Sequence, residues 1–103
     1  MVDINKKVEQ LKEKYKSIVQ QNADGVHNAF LNGMYGIKEI EQIKKGAEKE
    51  YMFPLGESNN INLYARFKGS DLFITAASNI SIPIVREEHL AQLEIVLGNL
   101  ENI

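Results

Sequence analysis

Asn60-Ile61-Asn62-Leu63-Tyr64-Ala65-Arg66-Phe67-Lys68-Gly69-Ser70-Asp71-Leu72-Phe73-Ile74-Thr75-Ala76 is the stretch that decides how this chain folds. Ile61, Leu63, Ala65 and Phe67 alternate with Asn60, Asn62, Tyr64 and Arg66. A period of two puts the first set on one face of a strand and the second on the other. Lys68-Gly69-Ser70 supplies a tight turn, after which Leu72, Ile74 and Ala76 return on the apolar side, with Phe73 and Thr75 opposite. The pattern predicts a β-hairpin with one face for a core and one for solvent.

Further along, Ala77-Ser78-Asn79 reads as a turn into a strand over Ile80-Ser81-Ile82-Pro83-Ile84, whose proline requires an edge position or the strand's end. A helix is predicted from about Arg86 to Leu100. Glu87 and Glu88 fall in its first turn, where the helix dipole favours negative charge. Leu90, Leu93, Leu97 and Leu100 form its apolar stripe, with Val96 at the border. Before the hairpin, Tyr51-Met52-Phe53-Pro54-Leu55 is short, apolar and contains proline, which predicts an edge strand followed by a turn at Gly56-Glu57-Ser58-Asn59.

The amino-terminal half has a different period. Ile4, Val8, Leu11, Tyr15 and Ile18 recur at spacings of three and four, so Asp3 to Gln21 is predicted as one amphipathic helix capped by Asp3. The stripe is narrow, as in a coiled-coil seam, and fits packing on its own domain or on a partner. Asn22-Ala23-Asp24-Gly25 breaks the pattern, with Asp24 as the cap of a second helix. Val26, Phe30, Met34, Ile37, Ile40 and Ile43 carry helical spacing on toward Lys49. Gly33 and Gly36 within it each cost about 1 kcal/mol relative to alanine, and mark a kink or a close backbone approach. The fold class is therefore α+β in one domain over residues 1–103: a helical first half, then a small antiparallel meander of three or four strands backed by a C-terminal helix.

Composition narrows the function. A chain of 103 residues builds one core. The absence of cysteine excludes a disulfide framework, a thiolate metal site and a cysteine nucleophile, and fits a reducing cytoplasm. No apolar run approaches the roughly 18 to 20 residues that span a bilayer, and Met1 to Lys7 is not followed by the apolar stretch of a signal peptide. A cytoplasmic protein without a membrane partner is expected. Net charge is −2, divided as +1 over residues 1–50 and −3 over residues 51–103.

Catalytic patterns are missing, and neither an enzyme nor a cofactor is expected. Glu87-Glu88-His89 are consecutive and point around a helix, and His27 has no spaced partner. Gly33-Met34-Tyr35-Gly36 lacks the preceding strand and the lysine of a phosphate loop; as a Gly-x-x-Gly clamp of the KH type it offers no cation. The surface with chemical character is the polar side of the meander, where Asn60, Asn62, Tyr64, Arg66 and Lys68 lie beside Phe73 and Thr75, with Ser81 further across. Rings on an open sheet stack on bases and neighbouring cations hold phosphates. The alternative is that the amino-terminal helices cover this side.

The order Phe53-Pro54-Leu55-Gly56, Phe67-Lys68-Gly69, Asp71-Leu72-Phe73-Ile74 and Ile80-Ser81-Ile82, followed by a helix with Glu88, Leu90 and Leu93, resembles the positive-cofactor-four family of transcriptional coactivators. The resemblance covers about half the chain. It implies a curved four-stranded sheet that binds single-stranded DNA, and a homodimer formed through C-terminal helices. Arg66 and Lys68 would then contact the backbone and Tyr64 and Phe73 the bases, with Leu90, Leu93, Leu97 and Leu100 partly at the dimer interface. Two functions are expected from these readings: a single-stranded nucleic-acid-binding module using the sheet face, or a protein-binding adaptor or inhibitor docking through the helical stripe or the sheet.

Overall fold

Asp3 begins the first helix by accepting the Lys6 amide on its Oδ1 at 3.1 Å, which satisfies a donor that the first turn leaves open. The helix, α1, runs Ile4–Leu31. The computed structural model describes residues 3–40, 50–57, 62–76 and 85–103. The expected break falls within α1 as a kink: Asn22 takes φ −154° and ψ 65°. Its Oδ1 accepts the Gly25 amide at 3.1 Å, so Asn22 rather than Asp24 caps the second limb. Its amide nitrogen donates to the Ile103 carbonyl at 3.4 Å, tying the kink to the far end of the described chain.

The second limb is shorter than the spacing predicts. It stops at Leu31, and Lys38–Ile40 is a strand, β1. Gly33 and Gly36 carry φ of 65° and 78°, a left-handed conformation that glycine adopts without a Cβ penalty. With a single 3-10 turn, Met34–Gly36, between them, they swing the chain out of the helix. Ile37 enters the core beyond this corner, fully buried. Residues 41–49, expected as the rest of the helix, lie outside the described residues.

Three further strands follow, β2 (Glu50–Glu57), β3 (Asn62–Lys68) and β4 (Asp71–Ala76). They form with β1 a four-stranded antiparallel sheet in the order β1-β2-β3-β4. The expected edge strand at Tyr51–Leu55 is thus an inner strand. Its proline is tolerated because the β1 pairing begins at Lys38 opposite Met52, so Pro54 lies beyond the last residue that β1 reaches. The register of β2 on β3 shifts between Pro54 and Gly56, accommodating Leu55, which is fully buried. Gly56 and Glu57, expected to open a turn, instead end β2, paired with Leu63 and Asn62; Ser58 and Asn59, the predicted turn at 77–79 and the predicted strand at 80–84 lie outside the described residues.

The last helix, α2, runs Glu87–Glu101. His89 Nδ1 accepts the Arg86 amide at 3.0 Å and closes its first turn. Leu90, Leu93, Leu97 and Leu100 are at most 1% exposed. They belong to the protomer's own core, with Leu55, Leu63, Ala65, Phe67 and Leu72 of the sheet and Leu11, Tyr15, Ile18 and Phe30 of α1. The four leucines expected partly at a dimer interface are thus packed against the protomer's own sheet and α1.

Both helices lie on one side of the sheet. Lys7 pairs with Glu94 at 3.4 Å and Lys14 with Glu101 at 3.8 Å. Two turns forward on α1 is matched by two turns forward on α2, so the helices run parallel. The narrow seam of α1 closes on α2 and the sheet. None of the described helices is long and apolar enough to cross a membrane.

Candidate functional site

Alternation along β2, β3 and β4 sends every second side chain away from the helices. On this outer face Glu50, Met52 and Pro54 come from β2, Tyr64, Arg66 and Lys68 from β3, and Asp71, Phe73 and Thr75 from β4. Among the described residues α1 packs on the opposite side, through Tyr15 and Phe30 against Phe67. Phe73 is 45% exposed. Tyr64 and Thr75 are half-buried and Pro54 is exposed.

Register sets the neighbours. Tyr64 faces Thr75 and Arg66 faces Phe73 across the β3–β4 ladder, so the Tyr64 and Phe73 positions are diagonal. Diagonal residues on one sheet face sit roughly 7 to 8 Å apart at Cα, within reach of two rings that share a contact. Met52 faces Arg66 and Pro54 faces Tyr64 across the β2–β3 ladder, which extends the apolar area.

The charges are arranged differently from the expectation. Glu50, which the sequence reading did not single out, is 8% exposed and pairs with both cations of β3. Arg66 donates to its Oε2, and Lys68 Nζ lies 3.8 Å from its Oε1. Lys68 also stands opposite Asp71 in the ladder. The two cations and two carboxylates of this cluster sum to zero. A weak signal for Glu50 existed: an acid immediately before Tyr51-Met52-Phe53-Pro54, which the register sets opposite Lys68.

Of the expected nucleic-acid residues, Tyr64, Arg66, Lys68, Phe73 and Thr75 come together on this face. Asn62 starts β3, and Asn60 and Ser81 lie outside the described residues. His27 and His89 are far from this surface in role: one lies 3.4 Å from the Tyr51 hydroxyl, and the other closes α2. Among the described residues no group of three or more His, Cys, Asp or Glu side chains is placed to hold a metal. No family model, curated protein or solved structure matches the chain, so the reading of this face rests on its own geometry.

Proposed function

We propose that this chain is a non-enzymatic protein-binding module that docks a partner protein through the outer face of its sheet. The carrying observation is the neutral charge cluster beside an exposed ring. Phe73, Tyr64, Met52 and Pro54 provide an apolar centre, and Glu50 holds the adjacent arginine and lysine in ion pairs. Aromatic anchors with satisfied polar groups around them are what protein interfaces use. A polyanion needs uncompensated cations, since phosphate neutralisation supplies most of its non-specific affinity. The cysteine-free composition supports a cytoplasmic setting.

A second reading is favoured by one observation. Two rings in diagonal register on an open sheet are spaced to stack on a flexible single strand. The ion pairs at Arg66 and Lys68 weigh against it, and we rank it behind protein docking. The deciding experiment captures partners from a cell extract with the wild-type chain and with Phe73→Ala, alongside anisotropy with a labelled oligothymidine at low salt. A protein retained by the wild type and lost by the variant, without oligonucleotide binding, supports docking. Oligonucleotide binding that falls steeply with salt and is lost in Phe73→Ala transfers the face to nucleic acid.

A further inference from the structure

On the helix side of the sheet, away from the docking face, the kink of α1 opens a cleft of about 370 Å³ against the β3–β4 turn. We infer that this cleft is a binding site for a small planar aromatic ligand that carries a hydrogen-bonding group at its outer edge. The inference is independent of the docking proposal.

Three features of the wall carry it. The floor is a run of rings: Tyr15 lies on Phe67 with centroids 5.0 Å apart, Phe67 on Phe30 at 5.1 Å, and Phe30 on Tyr51 at 4.6 Å. Those four residues are at most 4% exposed, so they hold one another rigidly and offer the cleft only a narrow apolar strip at its base. Flat rings recognise flat rings, in offset or tilted contacts.

The polar groups are few and are placed at the edges. His27 and Ser70 line the cleft, and the His27 Nδ1 lies 3.4 Å from the Tyr51 hydroxyl. When Nδ1 accepts that hydroxyl, Nε2 carries the ring proton and is a donor. Tyr15 is committed elsewhere, donating to the Gly69 carbonyl at 3.0 Å. An apolar floor with a small number of polar groups at the rim is the usual composition of a small-molecule site, and the volume is at the small end of the range of about 300 to 1,000 Å³ for such sites.

The kink makes the space. Val19 and Ala23, on either side of Asn22, both line the cleft, and the Asn22 side chain holds the break through the Gly25 amide and the Ile103 carbonyl. Small residues complete the opening, with Ala23 on α1 and Gly69 and Ser70 on the turn opposite. A phenylalanine at position 23, which is exposed, would fill the cleft from its rim without removing a core side chain.

Indole is a suitable probe, being planar with one N–H donor. Titration into the ¹⁵N-labelled full chain is expected to give saturable shifts at Ala23, His27, Tyr51, Gly69 and Ser70, with half-saturation on the order of 0.1 to 1 mM for so small a ligand. Ala23→Phe is expected to weaken binding at least ten-fold, and His27→Ala about three- to ten-fold. Nuclear Overhauser contacts from indole to the Ala23 methyl and the Tyr51 ring in the wild type test the location even if a variant does not fold. Shifts that fail to saturate, contacts that appear at Tyr64 or Phe73 instead, or binding unchanged in a folded Ala23→Phe chain each overturn the assignment.

Discussion

The Arg66 guanidinium closes on the Glu50 carboxylate diagonally across the β2–β3 ladder, while Lys68, directly opposite Glu50, lies 3.8 Å from the same group. One nearly buried acid thereby pairs with both cations of β3. Glu50→Gln is expected to destabilise the fold by about 1 to 2 kcal/mol, below the range for fully buried pairs because the Arg66 side chain is 37% exposed. It also raises the local charge by one. Salt-sensitive retention of oligothymidine is expected in the variant and not in the wild type, read by anisotropy at low salt. Equal binding by the two chains would show that the carboxylate does not suppress polyanion contact.

Phe73 separates binding from stability. At 45% exposure it contributes little to the core, so Phe73→Ala should change unfolding free energy by no more than about 0.5 to 1 kcal/mol. A central aromatic anchor is nevertheless worth about 2 kcal/mol or more in an interface, roughly thirty-fold in affinity. Tyr64→Ala should lose less affinity and more stability than Phe73→Ala, because Tyr64 is half-buried. Denaturant titration and partner titration on the same preparations check the pair of outcomes.

Tyr15 predicts an alkaline limit. Burial, with help from the nearby Asp71 and Tyr51, pushes its hydroxyl above the usual tyrosine range. The unfolded chain ionises this group near pH 10, while the folded chain keeps the proton. The folded state then binds more protons than the unfolded one, and stability falls as pH rises beyond 10, by up to about 1.4 kcal/mol per pH unit for this one group. Below pH 10 the contribution is complete. Tyr15→Phe removes the bond to the Gly69 carbonyl and should cost about 1 kcal/mol at neutral pH. Its stability curve should be flatter above pH 10, by thermal melts across the range. A parallel fall in both chains would contradict the assignment.

Leu93 tests where the α2 stripe is buried. It is fully enclosed in one protomer, so Leu93→Ala should cost about 2 to 5 kcal/mol through lost burial and the cavity left behind. The loss should be independent of protein concentration. A dependence on concentration in equilibrium unfolding would restore these leucines to an interface between copies.

Much of this architecture can be read from periodicity. The seam from Ile4 to Ile18, the alternation from Leu63 to Phe67 and from Leu72 to Ile74, and the stripe from Leu90 to Leu100 each form the element expected. β1 was hidden because Ile37, Ile40 and Ile43 repeat at a helical interval, and three residues of strand give alternation too little length to show. The glycines before it held the contrary signal, which becomes decisive only with their left-handed backbone. Pro54 was misleading because its tolerance depends on where a neighbouring strand starts. Apolar spacing also cannot say which surface a stripe meets, so the leucines of α2 suited a partner as well as their own sheet. The open face was legible from alternation alone, but its neutrality was not. Glu50 meets Arg66 and Lys68 only through the register of two strands.

The parallel course of α1 and α2 has a consequence for how the chain is made. The Lys7–Glu94 and Lys14–Glu101 contacts join segments at opposite ends of the described chain, and closing such distant contacts is slow. During synthesis the greasy flank of α1 emerges ahead of the meander, and its helical mate is translated only after it. Until then Leu11, Tyr15 and Ile18 have no α2 to rest on, so the nascent polypeptide presents a sticky surface while the strands are being made. In that interval the exposed flank is open to aggregation, which shielding by a holdase would limit.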